Sequence, residues 1–207
     1  LIVHLNSHDS TARVKEADIV ANFVRGILRS EAGGSQAKIV VMGDFNTLSR
    51  WDAAEHSRID LVTSLERTDS AVWGRLSRKF LMENASTINY QPMDTILAAG
   101  MHDACVVACR NSDYRANQLG SIEWQAGGDD DFSKCMTARC LASEPTNFDV
   151  PDWEWPKNLK EKHPRVRLDF ILISTAIALD EMRVVAGFDV DGTTRNMSDH
   201  FPMSASW

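Results

Sequence analysis

Two apolar stretches flank one amphipathic stretch within the first 45 or so residues, and this pattern restricts the chain most. Leu1 to Leu5 reads as a short strand that delivers His4 at its end, followed by Asn6, Ser7 and His8. Asp9 and Ser10 can cap a helix, and Ala12 to Arg29 supplies one. Its stripe is Val20, Phe23, Val24, Ile27 and Leu28 at helical spacing, with Arg13, Lys15, Glu16 and Asp18 mostly opposite. Gly33-Gly34 breaks the chain before a second strand at Ile39. Strand, helix and strand at this length form a crossover, which places the two strands parallel or nearly so.

The second strand, Ile39-Val40-Val41-Met42, is expected to be buried on both faces. Gly43 lets the backbone turn, and the strand presents Asp44 and Asn46 on one side while Phe45 turns back into the core. A carboxylate beside a carboxamide can take a proton, bind a cation and donate to a phosphate oxygen. Asp and Asn are equally common in an ordinary turn after a strand, so this motif alone does not decide the matter.

Length and composition set limits. The chain has 207 residues, enough for one domain with a sizeable core; 43% are hydrophobic and 25% charged, as in an ordinary globular protein. No apolar run approaches the roughly 20 residues of a membrane helix. A net charge of -7 argues against an electrostatic grip on long nucleic acid, although metal ions can offset carboxylates gathered at a site. The chain opens inside a strand, and further residues are expected upstream. Of the four cysteines, Cys105 and Cys109 lie in an apolar segment and read as buried thiols. Cys135 and Cys140 can form a disulfide if the compartment is oxidising, and the compartment stays open. Asn84 and Asn196 head glycosylation sequons of a kind that arises often by chance.

Further along, Leu48 to Asn84 reads as one or two helices over the rim of the site. Their apolar positions are Trp51, Ile59, Leu61, Leu65, Val72, Trp73, Leu76, Phe80 and Leu81. Pro92 and Gly100 frame a short helix, Met93 to Ala99, and Ala104 to Ala108 reads as a strand. Arg110 to Arg139 reads as a solvated loop; Gly127-Gly128-Asp129-Asp130-Asp131 lacks the alternating oxygen ligands of a calcium loop. In Asp152 to Pro156 the paired tryptophans either pack locally or form a wall against substrate. Val166 to Ser174 is a strong strand with Arg167, Asp169 and Ile171 on one face, and its acid needs a partner to offset desolvation. Met182 to Ala186 gives another strand, Asp189 to Asn196 a polar loop, and the chain closes on a short strand to Trp207.

Four of these pieces, in order, resemble the endonuclease/exonuclease/phosphatase (deoxyribonuclease-like) superfamily. They are His4-Leu5-Asn6 with Arg13 opening the helix, Gly43-Asp44-Phe45-Asn46, Arg167-Leu168-Asp169-Phe170-Ile171, and Ser198-Asp199-His200-Phe201-Pro202. The resemblance spans His4 to Pro202. It implies an α+β fold: a four-layer α/β/β/α sandwich of two mostly antiparallel sheets, with the site at one end of the sheets. It implies a single domain over 1–207 whose first strands are missing. The activity implied is hydrolysis of phosphodiester or phosphomonoester bonds with Mg2+ or Mn2+.

The resemblance also implies roles. Asp199 and Asp44 are carried over at the metal, and Asp169 as the partner that orients His200. His200 would stabilise or protonate the phosphoryl group, while Asp44 would position and deprotonate the attacking water. Asn46 would hold that water and a phosphate oxygen, and His4 would stand near the leaving oxygen. The family's principal metal ligand is a Glu on an earlier strand; here Glu16 lies on a helix and Glu31 in a turn. This piece is therefore expected to be inactive alone, and to act in the whole protein as a monomer. The substrate class stays open among nucleic acid, phospholipid, inositol phosphate and nucleotide. The alternative is a catalytically incomplete member serving as a binding scaffold.

Overall fold

Asp9 starts the first helix as its sequence predicts: its carboxylate accepts the backbone N–H groups of Thr11 and Ala12 at 2.8 and 3.0 Å. The helix, α1, runs Ser10–Arg29 between the strands β1 (Ile2–His4) and β2 (Val40–Asp44). The two strands pair in parallel, with Ile2 opposite Met42 and His4 opposite Asp44. The crossover expected from the first 45 or so residues is therefore present. The structure is a computed structural model that describes residues 1–30, 34–67, 74–82, 87–110, 166–179, 181–184, 188–190, 193–195 and 203–207.

Chain order through the described residues continues with the helices α2 (Ala53–Arg58), α3 (Leu61–Arg67), α4 (Gly74–Phe80) and α5 (Gln91–Leu97). Strand β3 (Met101–Asp103), helix α6 (Ala104–Arg110) and strand β4 (Asp169–Ser174) follow. Two short ladders come last: β5 (Glu181–Val184) pairs with β8 (Met203–Ser206), and β6 (Phe188–Val190) with β7 (Thr193–Arg195). The main sheet has the order β1-β2-β4-β3, and its last two pairings are antiparallel. Helices with a mixed four-stranded sheet make this an α+β fold.

One face of that sheet carries the principal core. Leu5, Val41, Phe45, Phe170, Leu172 and Met101 pack against Ala17, Val20, Ala21 and Val24 of α1 and Met93 and Ile96 of α5. Small residues at positions 17 and 21 let α1 approach closely. Phe23 is 54% exposed, contrary to its expected place in the stripe, because it lies roughly 100° around the helix from the centre of the buried arc. On the other face Ile171 and Ile173 pack against α6, Ile177, Leu179 and Ala205. That cover reaches β2 at Val40, which is partly buried against it, but goes no further along the strand: Ile2 and Met42 are exposed, so β2 is not buried on both faces as expected.

Other expectations are corrected. Ala104 to Ala108 is helical, since an apolar run without periodicity reads equally as strand or buried helix, and Asp103 caps it by accepting Cys105 N–H at 2.9 Å. Among its described residues, Leu48 to Asn84 is broken into three short helices and a 3-10 turn at Arg50–Asp52, with Asp60 at φ 48 closing α2. The expected loop Asp189 to Asn196 contains a two-stranded ladder. Cys105 is disulfide-bonded and so is not a free buried thiol. Residues 111–165, with Cys135, Cys140 and the paired tryptophans, and both sequons at Asn84 and Asn196 lie outside the described residues. No helix among the described residues is long and apolar enough to cross a membrane.

Candidate active site

Strand register builds the site. His4 stands opposite Asp44, and Asp44 opposite Asp169, so three polar side chains form one row across β1, β2 and β4 at one end of the sheet. Residues directly opposite in a ladder share a face, and two like charges side by side are unfavourable unless a cation joins them. Gly43 makes the row possible. Its φ of 135 is one that side chains rarely allow, and a Cβ there would come within 2.0 Å of the Val3 carbonyl oxygen.

Asn46 locks the head of the row. It sits at φ 49, a left-handed conformation that Asn tolerates better than most residues, and is 2% exposed. Its backbone N–H donates to Asp44 Oδ1 at 2.7 Å, and its Nδ2 donates to Asp44 Oδ2 at 2.9 Å and to the Leu5 carbonyl at 3.0 Å. Lys79 Nζ donates to Asn46 Oδ1 at 2.5 Å. An ammonium can only donate, which fixes the amide with its oxygen toward Lys79. Arg13, buried at 1% exposure, donates one Nη to the Asn46 carbonyl and the other to the Lys79 carbonyl at 3.1 Å. Glu16 accepts the Asn6 N–H at 2.6 Å and so secures the turn after β1.

His4, Asp44, Asn46 and Asp169 are therefore brought together as expected, with His4 Nε2 3.5 Å from Asp44 Oδ2 and open to solvent. Asp199 and His200 lie outside the described residues. One expectation changes. Both amide N–H groups of Asn46 are taken by Asp44 and Leu5, so Asn46 orients Asp44 and has no donor left for a phosphate oxygen. Lys79 is the residue that sequence reasoning missed. Lys79 is one of three basic residues on its short helix, and nothing in its spacing connects it to Asn46, thirty-three positions earlier. Burial lowers Lys79 to about 8 against the opposing pull of Asp44, with Arg13 adding to the lowering. Burial also lowers Arg13 to about 10, opposed by Glu16, Asp44 and Asp9.

No family model, curated protein or solved structure matches the chain. What the site can do rests on its own residues. Asp44 and Asp169 offer adjacent carboxylate oxygens, hard donors that suit Mg2+ or Mn2+. Mg2+ usually takes one or two carboxylates and completes its shell with water and phosphate, so the pair fits it in kind. No group of three metal-ligating side chains is gathered among the described residues.

Arg167 does not share the face of Asp169. Its guanidinium lies 4.3 Å from the Phe170 ring centroid and bridges two buried carboxylates, Asp52 (3.0 and 3.2 Å) and Asp103 (2.6 and 3.1 Å). This ties the segment after Asn46 to β3 and to the lead-in of β4, which holds Asp44 and Asp169 in register. The carboxylates hold Arg167 above its usual range in spite of burial. Asp52 rises to about 6, because burial and the second carboxylate outweigh the shared guanidinium. Beside them His56 is 2% exposed, with Nδ1 2.9 Å from the Tyr90 hydroxyl and Nε2 unpartnered among the described residues.

Burial, aided by the Arg167 charge, lowers His56 to about 4 from 6.5, only partly opposed by Glu55. The neutral imidazole thus contributes stability that is present above pH 6.5 and lost as pH falls toward 4. Asp52 acts in the opposite sense: its raised value contributes stability present below 3.8 and lost as pH rises through 6. A His56→Phe variant isolates the first effect. Relative to the parent it is expected to gain about 2 kcal/mol between pH 7 and pH 5, read by urea unfolding at both. A difference that does not change with pH would mean that the folded protein already accommodates the charged ring.

Proposed function

We propose that this chain carries the catalytic end of a metal-dependent phosphoesterase of the endonuclease/exonuclease/phosphatase superfamily, built on a four-layer sandwich. The observation that carries this reading is the row His4–Asp44–Asp169 across three adjacent strands, with Asn46 bound to both oxygens of Asp44. Mg2+ or Mn2+, held by Asp44 together with Asp199, would supply positive charge to the phosphoryl oxygens. In this reading Asp44 accepts the proton of the attacking water, because Asn46 fixes its orientation by two hydrogen bonds. His4, exposed beside Asp44, faces the leaving oxygen. Asp169 orients His200, whose imidazolium stabilises the phosphoryl charge, as positioning and charge stabilisation are what phosphoryl transfer chiefly requires.

The test is hydrolysis by the full-length protein, with Mg2+ or Mn2+ and with chelator. The panel holds a nucleic acid, a sphingomyelin-like lipid, an inositol phosphate and a nucleotide. Metal-dependent release from one of these is the expected result. Binding without turnover on every substrate would favour the scaffold reading instead.

A further inference from the structure

We propose that Lys79 is a catalytic residue that contacts the phosphoryl group of the substrate directly, beside Asn46. This inference rests on the phosphoesterase reading and assigns the donor which that reading lacks. The motif around Asn46 predicts that its amide holds a phosphate oxygen, yet its two amide N–H groups are spent on Asp44 and the Leu5 carbonyl. Lys79 Nζ stands 2.5 Å from the oxygen of that same amide. An ammonium carries three donors, and Asn46 Oδ1 is its one hydrogen-bond acceptor among the described residues. The side chain is half-buried, so water replaces the missing acceptors poorly.

Its placement is rigid. Phe80 and Leu81 anchor the end of α4 in a buried cluster with Leu61, Leu65 and Leu168. Arg13 donates to the Lys79 carbonyl at 3.1 Å. The charges facing the ammonium are Asp44 on β2, Asp169 on β4 and Arg13 on α1. Arg13 is not open to serve in its place, since it is 1% exposed, with its guanidinium held against the carbonyls of Asn46 and Lys79. A phosphoryl oxygen arriving beside Asn46 would therefore meet a positioned ammonium with spare donors, and charge-assisted bonds of this kind are the strong ones.

The rival role is that Lys79 merely holds the Asn46 amide. Four variants of the full-length protein separate the two: Lys79→Met, Lys79→Arg, Asn46→Ala and the double Asn46→Ala/Lys79→Met. They are assayed on the best substrate of the panel, with inorganic phosphate as competitor. Loss of a positioned donor is expected to lower kcat/KM by roughly 100-fold and to raise the inhibition constant of phosphate at least about tenfold. Lys79→Arg should recover part of both. The loss should persist when Lys79→Met is placed on Asn46→Ala. If the double variant equals Asn46→Ala alone, and phosphate binds both equally, Lys79 acts only through Asn46 and the proposal is overturned.

Should Lys79→Met fold poorly by thermal melting, Lys79→Gln keeps the volume and removes the charge, and the same comparisons apply. Should the parent hydrolyse nothing, the phosphoesterase reading fails by itself. Calorimetric titration with phosphate then still decides Lys79. Binding that is lost in Lys79→Met sustains the contact, and absent or unchanged binding overturns it.

Discussion

Arg167→Met is expected to destabilise the protein by about 4 kcal/mol at pH 7. The reason is the company that Arg167 keeps. Asp52 and Asp103 are as fully buried as the guanidinium, and both turn their oxygens to it. Methionine fills similar volume but leaves two carboxylates facing each other in a dry interior. With domain stability of only about 5–15 kcal/mol, such a loss leaves little reserve. The deficit should shrink at pH 5, where the orphaned Asp52 carboxylate, already raised to about 6 by burial, can take a proton. It should also shrink in Arg167→Met/Asp52→Asn/Asp103→Asn, where the charges are gone and the amide oxygen introduced at position 103 can still cap α6. A single variant within about 1 kcal/mol of the parent at pH 7, by urea unfolding, would show that the cluster is wetter than its geometry implies.

That cluster marks the border of what the sequence makes legible. Local signals report local structure well: Asp9 as a cap, the stripe through Val20 and Val24, Pro92 and Gly100 around α5, and the parallel crossover of β1 and β2. The ends of strands are also legible, so His4, Asp44, Asn46 and Asp169 can be picked out before their register is known. Partners distant in sequence are not. Arg167 finds Asp52, 115 positions earlier, and Lys79 finds Asn46, 33 positions earlier, and no spacing rule connects such pairs. The strand expected over Ala104–Ala108 fails for another reason. A run that is apolar at every position has no period to read, so only the capping role of Asp103 betrays the helix.

The largest effect on activity is expected from Asp44→Asn in the full-length protein, a loss of about 10²–10⁴-fold in turnover, the range of a general base. The amide oxygen introduced at position 44 can still accept the Asn46 backbone N–H. The new amide nitrogen, however, would then face the Asn46 amide nitrogen, donor against donor, where Asp44 Oδ2 now accepts at 2.9 Å. Such a mismatch costs about 1–3 kcal/mol and confuses a catalytic loss with a folding one. The exchange Asp44→Asn/Asn46→Asp removes the ambiguity. It keeps the net charge, lets the amide at position 44 donate to the carboxylate at position 46, and sets that carboxylate against the Lys79 ammonium. Asp tolerates the left-handed backbone at position 46 nearly as well as Asn. The Leu5 carbonyl loses its donor, so thermal stability should recover only in part. On the phosphoesterase reading turnover should not recover, because the carboxylate has left its place between His4 and Asp169. Activity restored by the exchange would mean that the site needs a carboxylate near Lys79 rather than one in the row of three.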